Sequence, residues 1–269
     1  MNFGIIIIGD EILSGRREDK HLAKTIALFG ARGLQLAYAD YVGDSPKRIT
    51  ATLKRAFASG DVVFSFGGIG ATPDDHTREC AAAALQRPLL LHPQAKALIR
   101  ERMQDLSLEK GLPYEPERDD NLHRLNMGMF PEGARIIPNP YNKIPGFSCD
   151  GDDGGAVHFV PGFPVMAWPM VESVLDTQYP AHFRRDAWQE NSIIVLGAME
   201  ASLTPLMERI EAAHDVKVFS LPSVDHPEYG RHIELGVKGA PGVVEAAYAD
   251  LVVALQAMAI PLGPEMVRK

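Results

Sequence analysis

The first apolar run, "FGIIII" (3–8), has no polar position in six residues, the pattern of a strand covered on both faces. "GDEILSG" (9–15) breaks it. Residues 20–31 then place Leu22, Ala23, Ile26, Ala27 and Leu28 on one side, with Gly33 just beyond. That spacing predicts a helix with a glycine stop and those five residues facing the core. "LQLAYADYV" (34–42) predicts a second strand. Ser45 and Pro46 have the chemistry of an N-cap and a first-turn proline, and Ile49, Leu53, Ala56 and Phe57 form the inner face of the helix they open. "DVVFSF" (61–66) predicts a third strand, and helices follow over 76–86 and 94–110. The order β-α-β-α-β-loop-α implies a mostly parallel sheet with helices on both faces.

From 111 to 155 prolines, acids and glycines interrupt the pattern. "ARIIP" (134–138) and "AVHFVPG" (156–162) predict short strands in a hairpin closed by the polar "DGDDGG" turn. Residues 163–179 predict a helix with Met166, Met170, Val174 and Leu175 on one face, bent or divided at Pro169. A second unit begins near 187: strand 191–196, helix 200–213, strands 216–221 and 230–237, and helix 241–258. The predicted domains are 1–180 and 187–260, with 180–190 as linker. Trp168 is expected to pack in the core and Trp188 to seal the junction.

The chain has 269 residues and is 46% hydrophobic, enough for one or two cores. Its net charge of −8 argues against a general nucleic-acid or anionic-membrane surface. No apolar run approaches the roughly 20 residues that span a bilayer. The N-terminus reads as a buried strand, not a signal peptide. Two cysteines, Cys80 and Cys149, lack metal-ligand spacing, and a reducing, cytoplasmic location is the simplest expectation.

The chemistry concentrates in "GGIGATPDD" (67–75), at the end of the third strand. In an open parallel sheet, ligands bind beyond such ends. Gly67, Gly68 and Gly70 let a ligand approach the backbone, and Thr72 adds a hydroxyl. Asp74 or Asp75 can cap the helix near His76, leaving amides aimed at the turn, an array suited to phosphate. The spacing is neither an in-phase dinucleotide fingerprint nor a Walker A loop, and a tight turn with an Asp cap would look similar. A carboxylate beside a phosphate calls for a cation, usually Mg²⁺, so Asp75 is a candidate metal ligand. Asp10 or Glu11 after strand 1 and Asp44 after strand 2 should reach the same edge. Asn139, Asn142 and Lys143 in "NPYNKIPGF", and Gly162 in "VPGFP", are further ligand candidates, with Lys143 balancing phosphate charge. His76 could point at the site or at solvent, and Arg78 and Glu79 read as surface or helix-pairing residues.

In the second unit "GVKG" (236–239) has the spacing of a nucleic-acid clamp but follows a strand and sits among acids, so packing or dimer contact is the better reading. His226, beside Asp225, Pro227 and Glu228, reads as part of a turn.

"IIIIGDEILSGRREDKH", "YVGDSPKRI", "VVFSFGGIGATPDDHTRE", "ARIIPNPYNKIPGF" and "VHFVPGFPVMAWPM" together resemble the molybdopterin-binding (MoaB/Mog-like) fold, in the version that opens CinA proteins. The second unit resembles the small KH-like domain that follows it. The resemblance implies a three-layer, mostly parallel α/β sheet, a small α+β domain, and homo-oligomers. It implies a molybdopterin or nucleotide ligand whose phosphate end lies on Gly67, Gly68, Gly70 and Thr72. Asp44 and Asp75 match acids linked to pterin adenylylation or metal-dependent chemistry, with Glu11 in the matching first loop. The CinA group also includes members that hydrolyse ADP-ribose or related pyrophosphates with a divalent metal, and the resemblance implies that activity as one outcome here. A non-catalytic pterin-binding module or a molybdenum-cofactor biosynthesis enzyme is the alternative. The amidase that ends full-length CinA proteins, with its nicotinamide mononucleotide deamidation, is not expected to carry over. Phe66 replaces the family's small hydroxyl residue, Ala71 its proline, and Asn142-Lys143 a Gly-Thr pair.

Overall fold

The computed structural model describes residues 1–183 and 189–268. The chain divides into two compact units, 1–183 and 184–269. The first runs β1 (Phe3–Ile8), α1 (Asp10–Leu13), α2 (His21–Gly30), β2 (Leu36–Val42), α3 (Pro46–Phe57), β3 (Val62–Phe66), α4 (Thr77–Leu85), β4 (Leu89–Leu91), α5 (Pro93–Glu109), α6 (Asp119–Arg124), β5 (Met129–Pro131), β6 (Arg135–Ile137), β7 (Gly146–Asp150), β8 (Ala156–Val160) and α7 (Pro164–Gln178). The main sheet has the order β2-β1-β3-β8-β7-β6. The first four strands are mutually parallel, while β7 runs against both β8 and β6.

The unbroken apolar run of β1 has its explanation in two cores. Side chains alternate across a strand. Ile6 and Ile8 join the core under α3 and α4, and Phe3, Ile5 and Ile7 join the core that α2 and α7 cover. Each such buried side chain contributes about 1.5–3 kcal/mol. Register then fixes the site. Ile8 pairs with Val42, Ile7 with Phe66, and Phe66 with Val160. Four strands therefore end in one row, and the loops after β1, β2, β3 and β8 leave the same sheet edge.

Two expectations need correction, and a third, at Pro169, loses one of its two alternatives. In α2 the buried residues are His21, Thr25, Leu28 and Phe29, while Ile26 is 52% exposed. The inward face carries polar groups because His21 Nε2 donates to the Gly162 carbonyl at 3.0 Å, so counting apolar residues selects the wrong side. The "DGDDGG" turn closes a hairpin between β7 and β8, with β6 beyond β7. Pro169 does not divide α7. Its ring opposes the carbonyl of Val165, in an exposed first turn where water can take that bond.

The second unit contains β9 (Gln189–Leu196), α8 (Glu200–Ala213), β10 (Val216–His226), β11 (Gly230–Gly239), α9 (Pro241–Ala257) and β12 (Leu262–Arg268). Its antiparallel sheet has the order β10-β11-β9-β12. Ile193, Val195, Ile233, Leu235 and Val237 share one core with α8 and α9. On the neighbouring polar positions, Arg268 bridges Glu190 at 2.6 Å and Glu234 at 2.7 Å. "GVKG" lies inside β11, where Gly236 pairs with Phe219 and Ser192 and leaves room for the Phe219 ring. His226 Nδ1 accepts the amides of Glu228 and Tyr229, the work of a turn residue. Trp188 and part of the expected linker lie outside the described residues, whereas Trp168 is a half-buried neighbour of the α2–α7 core. No helix of the described residues is long and apolar enough to cross a membrane.

Candidate functional site

A cleft of about 430 Å³ opens where the four strands end. That volume lies in the range of small-ligand sites. The glycine loop forms its floor. Gly67 and Gly68 have φ of +96° and +68°, conformations open to glycine. The Gly67 amide donates to Val160, closing the sheet at 3.0 Å. Beyond it the Thr77 amide and hydroxyl donate back to the Gly68 and Gly67 carbonyls at 3.0 and 3.2 Å. Both glycine carbonyls are thus turned toward the start of α4. The amides of Gly68, Ile69, Gly70 and Ala71 donate to no other described residue. Because the Gly67, Gly68 and Ile69 carbonyls turn toward α4, the N–H groups of Gly68, Ile69 and Gly70 point away from it, and successive unpartnered amides of this kind can receive an anion.

Asp75 does not cap α4, and neither does Asp74; the helix starts without a side-chain cap. Asp75 Oδ2 instead accepts the Thr72 amide at 2.8 Å and the Thr72 hydroxyl. Gly70 permits this, since a Cβ there would stand 2.6 Å from the same oxygen. Asp75 therefore holds the loop with one oxygen while lining the cleft.

Across the floor, Asp44 Oδ2 accepts the Asp10 amide at 2.9 Å, while Asp10 Oδ1 accepts the Asp44 amide at 3.2 Å. This exchange ties the loops after β1 and β2. Glu11, Asp44, Asp74 and Asp75 all line the cleft. Burial raises the Asp44 carboxyl above the usual range, and Asp10, Glu11 and Asp74 push it further, against the lowering effect of the Asp10 amide. A cation in the cleft would relieve that repulsion.

Asp44→Asn is expected to raise the melting temperature of the ligand-free protein at neutral pH, because asparagine keeps the acceptor for Asp10 and drops the charge. A carboxyl with a raised native pKa binds protons more readily folded than unfolded, so its cost fades as pH falls. The melting difference between variant and wild type should shrink on acidification; a constant difference would contradict this account.

No group of three or more His, Cys, Asp or Glu side chains among the described residues forms a ready-made metal site. The acids fit a cation that takes one or two carboxylates and fills its shell with water and ligand phosphates, the common Mg²⁺ arrangement. Asp44 and Asp75, which both line the cleft, would be the carboxylates to hold it.

Other expected ligands divide. Gly162 lines the cleft, held by His21, and the His21 ring stacks on Phe66 at 4.4 Å. Phe66 is consequently core, not cleft floor. Asn139 also lines the cleft, but its polar atoms are committed: Nδ2 donates to Asn142 Oδ1 and the Ile144 carbonyl, and Oδ1 accepts the Tyr141 amide. It is a scaffold for Asn142. Lys143 does not line the cleft; its Nζ donates to Glu101 and Asp105 on α5, both at 2.6 Å. Two carboxylates already satisfy the amine that was expected to face phosphate. His76 is likewise outside the cleft lining, and Arg78 is buried, not on the surface.

The sequence reading missed Arg17, the one cation lining the cleft among the described residues, and Met127, Phe163 and Met166, which supply apolar wall. Arg17 sits two residues past Gly15 in a loop whose course no periodicity reveals.

Unpartnered amides beyond the ends of parallel strands, with acids and an apolar wall along the same cleft, are an arrangement that open α/β sheets use for small ligands. The sequence profile described as "Probable molybdopterin binding domain" matches residues 4–181, and the chain belongs to that family. A CinA-like protein of Syntrophotalea carbinolica is 29% identical over 231 residues, 81% of this chain and 52% of that protein. The chain thus spans about half the length of that relative. A protein of Pyrobaculum calidifontis is 30% identical over 260 residues, covering 92% of this chain and 93% of the relative. Among solved structures, CinA of Thermoplasma acidophilum is 27% identical, with a TM-score of 0.54, over 65% of this chain and 96% of its own. The MoaB/Mog-like fold is that of the CinA group.

Proposed function

We propose that the cleft binds the phosphate end of a pterin- or nucleotide-type ligand and, with a divalent cation such as Mg²⁺, hydrolyses a pyrophosphate bond in a nucleotide sugar or dinucleotide of the ADP-ribose kind. The observation that carries this reading is the run of unpartnered amides from Gly68 to Ala71 in a loop that lines one cleft together with Asp44, Asp75 and Glu11. The amides would hold phosphate oxygens and stabilise negative charge developing on them. Asp44 and Asp75 would hold the cation, which when bound neutralises phosphate charge and activates water. Glu11 would orient the water, and Met127 and Phe163 would pack against an apolar ring of the ligand.

The lack of a three-ligand metal cluster among the described residues favours one second reading, a pterin-binding module or a cofactor-biosynthesis enzyme that does not hydrolyse. Turnover of ADP-ribose, FAD and NADH with and without Mg²⁺ separates the two. Asp75→Asn keeps an acceptor for Thr72 but removes the charge. It is expected to lower Mg²⁺-dependent turnover on the order of 100-fold, because a weaker hold on the cation loses its stabilisation of developing charge. A well-folded wild type with no turnover would leave the binding reading, tested by calorimetry with molybdopterin.

A further inference from the structure

Arg78 is the second residue of α4 and only 3% exposed. Its Nη1 donates to the Ile69 carbonyl. Its Nε is buried with no partner, and no ion pair among the described residues includes it. The two acids that act on it do not offset its burial: Glu79 is exposed, and Asp75 turns one oxygen to Thr72. A buried guanidinium without a counter-charge is costly to fold around, and such charges are ordinarily paired. As a peg for one carbonyl, a neutral amide would serve.

The placement of this charge gives it a use. Ile69 and Gly70 line the cleft. In a trans peptide the carbonyl and the following amide point opposite ways. Holding the Ile69 carbonyl on the buried side therefore turns the Gly70 N–H outward, into the array of free amides. Among the described residues the cleft is lined by four acids and a single exposed cation, Arg17, so an entering phosphate meets a mostly negative wall. A charge behind the loop is shielded from solvent and salt, and acts on the cleft more strongly than an exposed one.

We propose that Arg78 is the charge-selecting positioning residue of this cleft: it sets the Gly70 amide and supplies the buried positive charge that a phosphate or pyrophosphate group, docked on the opposite side of the loop, completes. This rests on the phosphate-binding reading above. It makes the cleft selective for multiply charged anions over neutral molecules of similar shape.

The probe is inorganic pyrophosphate with Mg²⁺, followed by calorimetry and thermal melting on the full chain. Arg78→Met removes the charge at similar volume. It is expected to weaken pyrophosphate binding by at least about 30-fold, within the range for hydrogen bonds to charged groups. The ligand-free melting temperature should hold or rise. Arg78→Lys, which keeps the charge, should recover most of the affinity. Arg78→Met binding within about threefold of wild type, or Arg78→Lys as weak as Arg78→Met, overturns the proposal while the phosphate reading stands. Absence of pyrophosphate binding by the wild type overturns the phosphate reading itself, and the proposal with it. Should Arg78→Met not fold, the wild type alone decides. Affinity that changes less than about tenfold between 0.05 and 0.5 M KCl supports a buried charge, and a steep fall assigns the attraction to exposed cations.

Discussion

Gly67→Ala is expected to abolish ligand binding and to destabilise the protein by about 2–5 kcal/mol. The left-handed conformation costs an alanine about 1–2 kcal/mol. Overpacking adds about 1–3 kcal/mol. The position explains both. Gly67 has φ of +96°, and a Cβ would stand 2.5 Å from the carbonyl oxygen of Ile8. That oxygen belongs to β1, which is paired on both sides and whose end carries the Glu11 loop, so it cannot yield as a flexible side chain would. Relief requires moving the loop after β3 away from β1, which displaces the Gly68–Ala71 amides. Gly162→Ala is the control for stability: its added Cβ meets only the Gly67 Cα, at 3.5 Å, and its φ is not in the left-handed range. Urea unfolding of both variants, with pyrophosphate melting shifts beside it, tests the expectation. A Gly67→Ala protein as stable as wild type would show that the loop does not depend on this geometry.

What the chain's pattern conveys, and what it conceals, follows from where free energy is local. β1 was legible because burial on both faces leaves no polar position to confuse the period. α3 was legible because Ile49, Leu53, Ala56 and Phe57 are all buried, a single apolar stripe. α2 was misread because His21 and Thr25 occupy its inner face, and a buried polar group paid for by a distant carbonyl has no signature in spacing. β7, "GFSCD", was hidden by the Pro and Gly around it. β12, "LGPEMVR", was hidden by Gly263 and Pro264. As an edge strand paired only to β9, with a register shift between Leu262 and Glu265, it tolerates both.

In the cleft, Glu11, Asp44, Gly67, Gly68, Gly70, Thr72, Asp74, Asp75 and Gly162 were legible because each follows a strand end, and parallel strands deliver their ends to one edge. The lysine and the arginine were not, for a shared reason. Long cationic side chains reach several ångströms from their own backbone, so loop position does not fix where the charge goes. Lys143 turns from the cleft to Glu101 and Asp105, and Arg78 turns inward beneath Ile69. Both outcomes depend on partners remote in sequence.

Acid should unfold the protein earlier than its carboxylates alone require, because of His158. This residue is fully buried on β8, between the Ser148 hydroxyl and the Tyr179 hydroxyl, each at 2.7 Å. A neutral imidazole donates through one nitrogen and accepts through the other, and the two hydroxyls can take the complementary parts. The chain is satisfied without charge. Burial, with Arg135 adding to it and Asp150 opposing, pushes the pKa from the ordinary 6.5 down to about 3. Between those values the unfolded chain holds a proton that the folded one refuses, so stability rises with pH across this window and levels off above it. At one and a half pH units below the ordinary value, the loss is about 2 kcal/mol. His21, lowered chiefly by burial, acts in the same direction. Urea unfolding of wild type near neutrality and near pH 5 should show the loss. His158→Gln, whose amide can span both hydroxyls but does not titrate, should start less stable and lose much less on acidification. Equal losses in the two proteins would place the acid sensitivity elsewhere, with His21 the first residue to replace.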